Sequence, residues 1–497
     1  MTQTPSSALA RLAPALLLSF SLPALAATAT RTEAAGESLW QALLFDGIKV
    51  GHAHSTRTVV AGEVRTTERM ELEILRSSEP VRMASTTTYV ETADGQPLGF
   101  DSEMTASAQH FRTRGVIRDG QIEVTQENAG ASSTRTLPLP PGALLGEAQR
   151  LKLVASGFKP GTVVEFQMFE PSRLEAVRVS TRIVGPRRVE VYDRDLDLIE
   201  VEQTVFFPEQ RIEARAFVDR EFRPFRTSMQ LLGMRIEIVT CDHRCATRPN
   251  QQLDYLGQLL IAAPRALTLD ELRGGVRYVL ATRDGSRLSL PQTSEQRMLD
   301  APAAEVKLEV CQHCGSVGSS AEERTAALAA TMWLQSDASE IVELTRAATK
   351  GVKAGDAQSR MQALTGFVRG HIRNKSLSVG YASALETARN RNGDCTEHAL
   401  LLAAMGRAAG VPTRVATGFA YVQDFAGQRK VFVPHAWTQA WVDGRWRSYD
   451  AALTGFDAGH IVVATGDGDP SRFYAGMNVL GNLEVRKVEA LGRERAP

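Results

Sequence analysis

The stretch RNGDCTEHALLLAAMGRAAGVPTR, residues 391–414, and the stretch VPHAWTQAWVDGRWRSYDAA, residues 433–452, together decide the fold of the C-terminal third. In the first, Asp394 is a good helix N-cap and Glu397, three residues on, completes a capping box. The apolar run 399–409 then stops at Gly410, with Pro412 just beyond. One helix is expected, with Cys395 as its first residue. There the unpaired amide N–H groups and the positive end of the helix dipole favour thiolate over thiol. The same amides, that of Cys395 included, can cradle an oxyanion formed by attack on an acyl carbon.

The second stretch reads as a hairpin about Asp443-Gly444, a two-residue turn of the I′ kind between arms rich in aromatic residues. Counting outward, Val442 opposes Arg445, Trp441 opposes Trp446 and Trp437 opposes Asp450. His435 is then the diagonal cross-strand neighbour of Asp450, within reach of its carboxylate. Cys395, His435 and Asp450 stand in the order nucleophile, base and orienting acid. His398, one turn from Cys395 on the same helix face, is a rival base. It lacks a carboxylate placed by the hairpin to orient it. Trp437, Trp441 and Trp446 are expected in the core and cleft wall rather than in a cofactor box.

The strings GDCTEHALLLAAMGRAAGVPTRVATGF and HAWTQAWVDGRWRSYD resemble the bacterial transglutaminase-like superfamily, over roughly the last third of the chain from the helical run near Ala326 onward. The resemblance implies a papain-like fold in which a helix carrying the Cys packs on a sheet carrying the His and Asp. It also implies catalysis by crosslinking transglutaminases, peptidases or amidases, with Cys395, His435 and Asp450 as the catalytic residues. Thr396 stands where the animal crosslinking enzymes carry an aromatic residue after the Cys, and no calcium site is apparent, so their particular activity is not carried over. DRDLDL, residues 193–198, lacks the central Gly and final Glu of a calcium loop and reads as a solvated face.

Of 497 residues, 57 are Lys or Arg and 57 Asp or Glu, with no long run of either sign. That balance argues against nucleic-acid or anionic-membrane partners. Arg11, the apolar stretch 12–26 and Ala24-Leu25-Ala26 fit an export signal cleaved before Ala27, and no Cys follows to carry a lipid anchor. About 470 residues would remain, enough for two or three domains. The expected location is periplasmic or secreted.

The cysteines are Cys241, Cys245, Cys311, Cys314 and Cys395. In an oxidising compartment the first four can form two disulfides, leaving Cys395 free. Each pair encloses a histidine, His243 or His313, so a zinc site is the alternative. Sequence leaves the connectivity open. Bridges between the two pairs would staple the middle of the chain to the end of the N-terminal domain.

From Trp40 to about Thr240 the apolar residues alternate with period two, as in Met70, Leu72 and Ile74 or Met234, Ile236 and Ile238. This predicts an antiparallel sheet with one wet face. Turns are expected at Asp46-Gly47, Asp94-Gly95 and Asp119-Gly120, and a short helix near 143–154. VRYVLATRDGSRLSLP suggests another hairpin, about Asp284-Gly285, and SEIVELTRAATKGV and AQSRMQALTGFVRGHI have helical spacing.

The fold class is therefore α+β: a signal at 1–26, an antiparallel β-rich domain at 37–250, a small β-containing unit at 251–320 and a transglutaminase-like catalytic domain at 321–497. The expected function is cysteine-dependent acyl transfer on peptide or carboxamide bonds through a thioester, with hydrolysis favoured over crosslinking because an exported enzyme meets water everywhere. No cofactor or metal is expected. A protein or peptide substrate, with cell-envelope material as a candidate, is the expected partner. The rival from another class is a non-catalytic envelope binding or scaffold protein.

Overall fold

The computed structural model describes residues 36–491, apart from 77–78, 107–108, 129–130, 208–210, 232, 316–317, 376–380, 470–478 and 480. The export signal expected at 1–26 lies outside the described residues. The fold is α+β, and the chain divides into two compact units. The first holds 80–253 and the described residues up to Leu75; the second holds 254 onward together with the short segment Arg76–Glu79. Among the described residues no helix is long and apolar enough to cross a membrane.

The first unit is a fifteen-stranded sheet whose chain enters at the centre. Strand Glu37–Phe45 begins a meander that runs out to the edge strand Ala131–Pro138. The chain then reaches the opposite edge, where Ala143–Leu144 pairs in parallel with Val163–Glu170. A second meander returns to Met234–Cys241, which pairs antiparallel with Glu37–Phe45. Alternation decides which side is dry: Met70, Leu72 and Ile74 are buried while Arg69 and Glu71 are exposed. Positive φ at both Asp46 and Gly47, and again at Asp119 and Gly120, gives the primed turns that strand twist favours.

The sheet closes over a core in which Phe100 and Phe169, from its two arms, lie 5.1 Å apart by ring centroid. Helix Gly146–Val154 sits against this face. Its first turn has no side-chain cap from its own segment; instead the Glu91 carboxylate accepts the N–H groups of Glu147 at 2.6 Å and Ala148 at 3.0 Å. Glu147 in turn holds Arg57 through two bonds of 2.9 Å. The dry face is thus not wholly apolar. Burial raises the carboxyl groups of both Glu68 and Glu91 to about 7, with Glu170 adding to the rise at Glu68.

The second unit has two sheets. One pairs Gln428–Val442 with Thr413–Phe425, Arg445–Tyr449 and the two-residue strand Ile261–Ala262, and sets His460–Gly466 beyond Thr413–Phe425. The other runs in the order Gln296–Met298, Glu305–Val310, Val276–Thr282 and Leu483–Ala490. Segments from 261 to 310 therefore share sheets with the end of the chain. The hairpin expected about Asp284-Gly285 does not form. Gly285 makes its turn, with φ 74°, but both neighbours of Val276–Thr282 are distant strands carrying the buried Val306, Leu308 and Val485. The local return offers only an isolated bridge at Leu288 before Pro291, which has no N–H to donate.

Helices Ser339–Ala348 and Ala357–His371 form where helical spacing predicts them, and Ala384–Asn390 adds a third beside the Cys395 helix. Both disulfides are local, Cys241 to Cys245 and Cys311 to Cys314. No bridge joins the two motifs, so the staple between distant segments is not made, and the sulfurs of the zinc alternative are bonded to each other.

Candidate active site

Helix Cys395–Ala408 begins as its sequence demands. Asp394 accepts the N–H of Thr396 at 2.9 Å, and the Glu397 carboxyl accepts the N–H of Asp394 at 2.9 Å, completing the capping box. At the other end Gly410, with φ 77°, lets the Val411 N–H reach back to the Gly406 carbonyl. Thr396 to Arg407 are buried on every side, which is why the stretch from Ala399 to Gly406 is apolar all round. Thr438, on the strand that carries His435, donates to the Ala399 carbonyl at 2.9 Å and ties that strand to the helix. Gly406 permits the close approach of Thr413: a Cβ there would lie 2.5 Å from Thr413 Cγ2.

The cap takes up the amides of Thr396 and Glu397 and leaves that of Cys395 without a partner among the described residues. One oxyanion donor of the expected set remains. The thiolate expectation meets an opposing influence at the half-buried Cys395. Burial pushes the Cys395 thiol well above its ordinary value and the Asp394 carboxylate adds to the rise, while the Ala436 N–H, donated to the sulfur, works the other way. A helix start is worth about 0.3–1 kcal/mol to an anion, less than burial of an unpaired charge costs. Burial works against the Asp394 carboxylate, but Arg76 at 2.7 Å, the Glu397 carboxyl and the Thr396 N–H together hold it below its ordinary value. Glu397, buried beside that charge, is driven far upward, although it accepts the N–H groups of Ala382 and Asp394.

The hairpin has the counted register, with Trp441 opposite Trp446 and Val442 opposite Arg445, and its turn has positive φ at Asp443 and Gly444. His435 Nε2 and Asp450 Oδ2 stand 2.8 Å apart. That bond leaves Nδ1 as the free ring nitrogen on the residue next to Ala436, whose N–H meets the Cys395 sulfur. Asp450 Oδ1 accepts the N–H groups of Ala452 at 2.7 Å and Leu453 at 3.0 Å, and Arg369 clamps the backbone carbonyls of Asp450 and Leu453. Asp450 is held well below the carboxylate range: His435 and His460 overcome its burial. Trp437 and Trp446 are buried and Trp441 half-buried, Trp437 lying parallel to the His435 ring. His398 turns back on its own helix, Nδ1 lying 2.5 Å from the Asp394 carbonyl, so Asp450 serves His435 and not this rival.

Sequence reasoning passed over His460. It opens strand His460–Gly466, and its Nε2 stands 3.1 Å from the same Asp450 Oδ2 while Nδ1 stands 3.0 Å from Asp457 Oδ1. The only sequence signal is a histidine ten residues past Asp450 at the head of an apolar run. Glu295 was passed over too; it accepts the N–H of Ser448 at 2.9 Å and its hydroxyl at 2.5 Å, and that hydroxyl accepts from Trp437 Nε1 at 3.0 Å. The hairpin is thereby braced from the 255–315 segment. His435, Asp450 and His460 have ligand atoms within 4.8 Å of one another, a spacing a metal could use. The Nε2 atoms of His435 and His460 both lie at hydrogen-bond distance from one oxygen of Asp450.

No curated protein matches the chain. Among solved structures it is similar to a candidate cysteine protease from Cytophaga hutchinsonii, at 17% identity and a TM-score of 0.30, over 45% of this chain and 91% of that one. It is also similar to a β-barrel-like protein of a domain of unknown function from Brucella abortus, at 12% identity and a TM-score of 0.34, over 41% of this chain and 95% of that one. Residues 343–451, which span the Cys395 helix, His435 and Asp450, match the Transglutaminase-like superfamily.

Proposed function

We propose that the protein is an exported cysteine hydrolase that cleaves carboxamide or peptide bonds through a thioester on Cys395. The observation that carries this reading is the bond between His435 Nε2 and Asp450 Oδ2, on the residue next to Ala436, whose N–H meets the Cys395 sulfur. His435 acts as general base: Nδ1 takes the thiol proton as sulfur bonds to the carbonyl carbon. The oxyanion meets the Cys395 amide. As the C–N bond breaks, the imidazolium returns its proton to the departing nitrogen. Water, deprotonated by His435, then attacks the thioester; the carboxylic acid leaves and the thiol is restored. Asp450 fixes the ring and stabilises its cationic form throughout. Export is supported by the signal-like stretch at 12–26 and by the two disulfides.

The test is a peptide library bearing C-terminal and side-chain carboxamides, scored for released amine or ammonia and for uptake of a fluorescent primary amine. Release that vanishes in Cys395→Ala supports hydrolysis. Amine uptake exceeding release would make the enzyme a crosslinking transamidase, and release that persists in Cys395→Ala would remove the thiol from the chemistry.

A further inference from the structure

Resting on the acyl-transfer reading of Cys395, His435 and Asp450, we propose that His460 is a positioning residue that shares Asp450 Oδ2 with His435 and thereby sets how strongly the carboxylate holds the catalytic imidazole. Four contacts fix Asp450: two backbone N–H groups on Oδ1, and two imidazoles on Oδ2 at 2.8 and 3.1 Å. An isolated Asp–His pair has no second ring on that oxygen.

His460 has a carboxylate oxygen at each ring nitrogen, Asp450 at 3.1 Å and Asp457 at 3.0 Å, and donates to both when it carries both protons; the Asp457 N–H, 3.3 Å from Nδ1, is the one contact that favours the neutral ring. Burial opposes that charge, but the bonds to the two carboxylates outweigh it and raise His460 to about 9. The titratable groups facing His460 are Asp450, Asp457, His435, whose ring lies 5.6 Å away, and Glu295, which feels its charge; Trp437 and Phe456 supply aromatic walls. The ring is buried at 2% exposure, so water does little to screen the interaction.

The consequence is chemical. A carboxylate already neutralised by one imidazolium draws a second one less strongly. His435 is then oriented by Asp450 without being locked in its cationic form, and it stays available to take a proton from an un-ionised thiol.

Two variants separate the charge of His460 from its hydrogen bond. His460→Gln keeps an N–H donor toward Asp450 and removes the cation; the acidic limb of the kcat/KM profile should move up by about one pH unit, with alkylation of Cys395 by iodoacetamide at pH 6–7 about tenfold faster than in the parent. His460→Phe removes both and should lower kcat about 10- to 100-fold with little change in KM, a loss that Gln in place of Phe largely rescues. Superimposable profiles for parent and His460→Gln, in both activity and alkylation, would overturn the proposal. Alkylation needs no turnover, so an alkylation profile that shifts in a protein inactive on every carboxamide would sustain the coupling while overturning the proposed function.

Discussion

Asp394 performs two tasks that pull against each other. Its carboxylate caps the helix that presents Cys395, and its charge, one residue away, disfavours the thiolate. Asp394→Asn keeps a capping oxygen and removes the charge, so alkylation of Cys395 near neutral pH should speed up several-fold, while loss of the Arg76 ion pair lowers the melting temperature; an unchanged rate would mean that the Asp394 charge does not hold the thiol. Asp450→Asn should leave the fold intact and lower kcat by on the order of 100-fold or more, since an amide can present the wrong group to His435 and cannot stabilise its charge. Because Asp450 is held well below its ordinary range, its contribution to stability is present above about pH 4 and is lost as the pH falls through that depressed value. His460 has the opposite sign. Its contribution is complete below its ordinary value of about 6.5 and disappears as the pH rises through about 9, so His460→Gln should cost more stability at pH 6 than at pH 10, by thermal melts.

At the scale of elements, the primed turn at Asp443-Gly444 fixes the hairpin register, and through it the meeting of His435 with Asp450. Gly444→Val places a β-branched residue at φ 76° and should destabilise the protein by about 1–3 kcal/mol, with activity falling beyond what partial unfolding explains. Gly406→Val should cost a similar amount by driving Thr413 off the helix. These local devices were legible in the sequence because capping boxes, αL glycines and two-residue turns are written in neighbouring residues. The place of His460 was not, since it depends on which strand pairs with Thr413–Phe425, a choice made by burial of Ile461 and Val462 in a sheet assembled from distant segments. The failed hairpin at Asp284-Gly285 has the same origin. The influences that oppose the thiolate were not legible, because a helix start can be read locally whereas burial cannot.

Over the whole molecule the cysteines divide four to one. Native protein should take a single alkyl group, on Cys395, and five after reduction, by intact mass; a bridge to Cys395 or a bound zinc would contradict this. The carboxyl groups of Glu68 and Glu91 make the first unit prefer mildly acidic conditions. Both bind protons more tightly when folded, so stability should decline as the pH rises from about 4.5 to about 7, by up to about 3 kcal/mol for each group, and Glu68→Gln should flatten part of that slope. The sheet that holds them has one further property. Its two meanders meet at a single seam, where Glu37–Phe45 lies antiparallel to Met234–Cys241 with Trp40 opposite Cys241. The outer chain ends of these two strands, at Glu37 and Cys241, leave the seam from the same end. A tensile load applied to them, as by a translocation motor or an unfoldase, would peel the seam one hydrogen bond at a time instead of shearing all of them together, so the sheet should yield at low force by parting into two meanders, each still zipped.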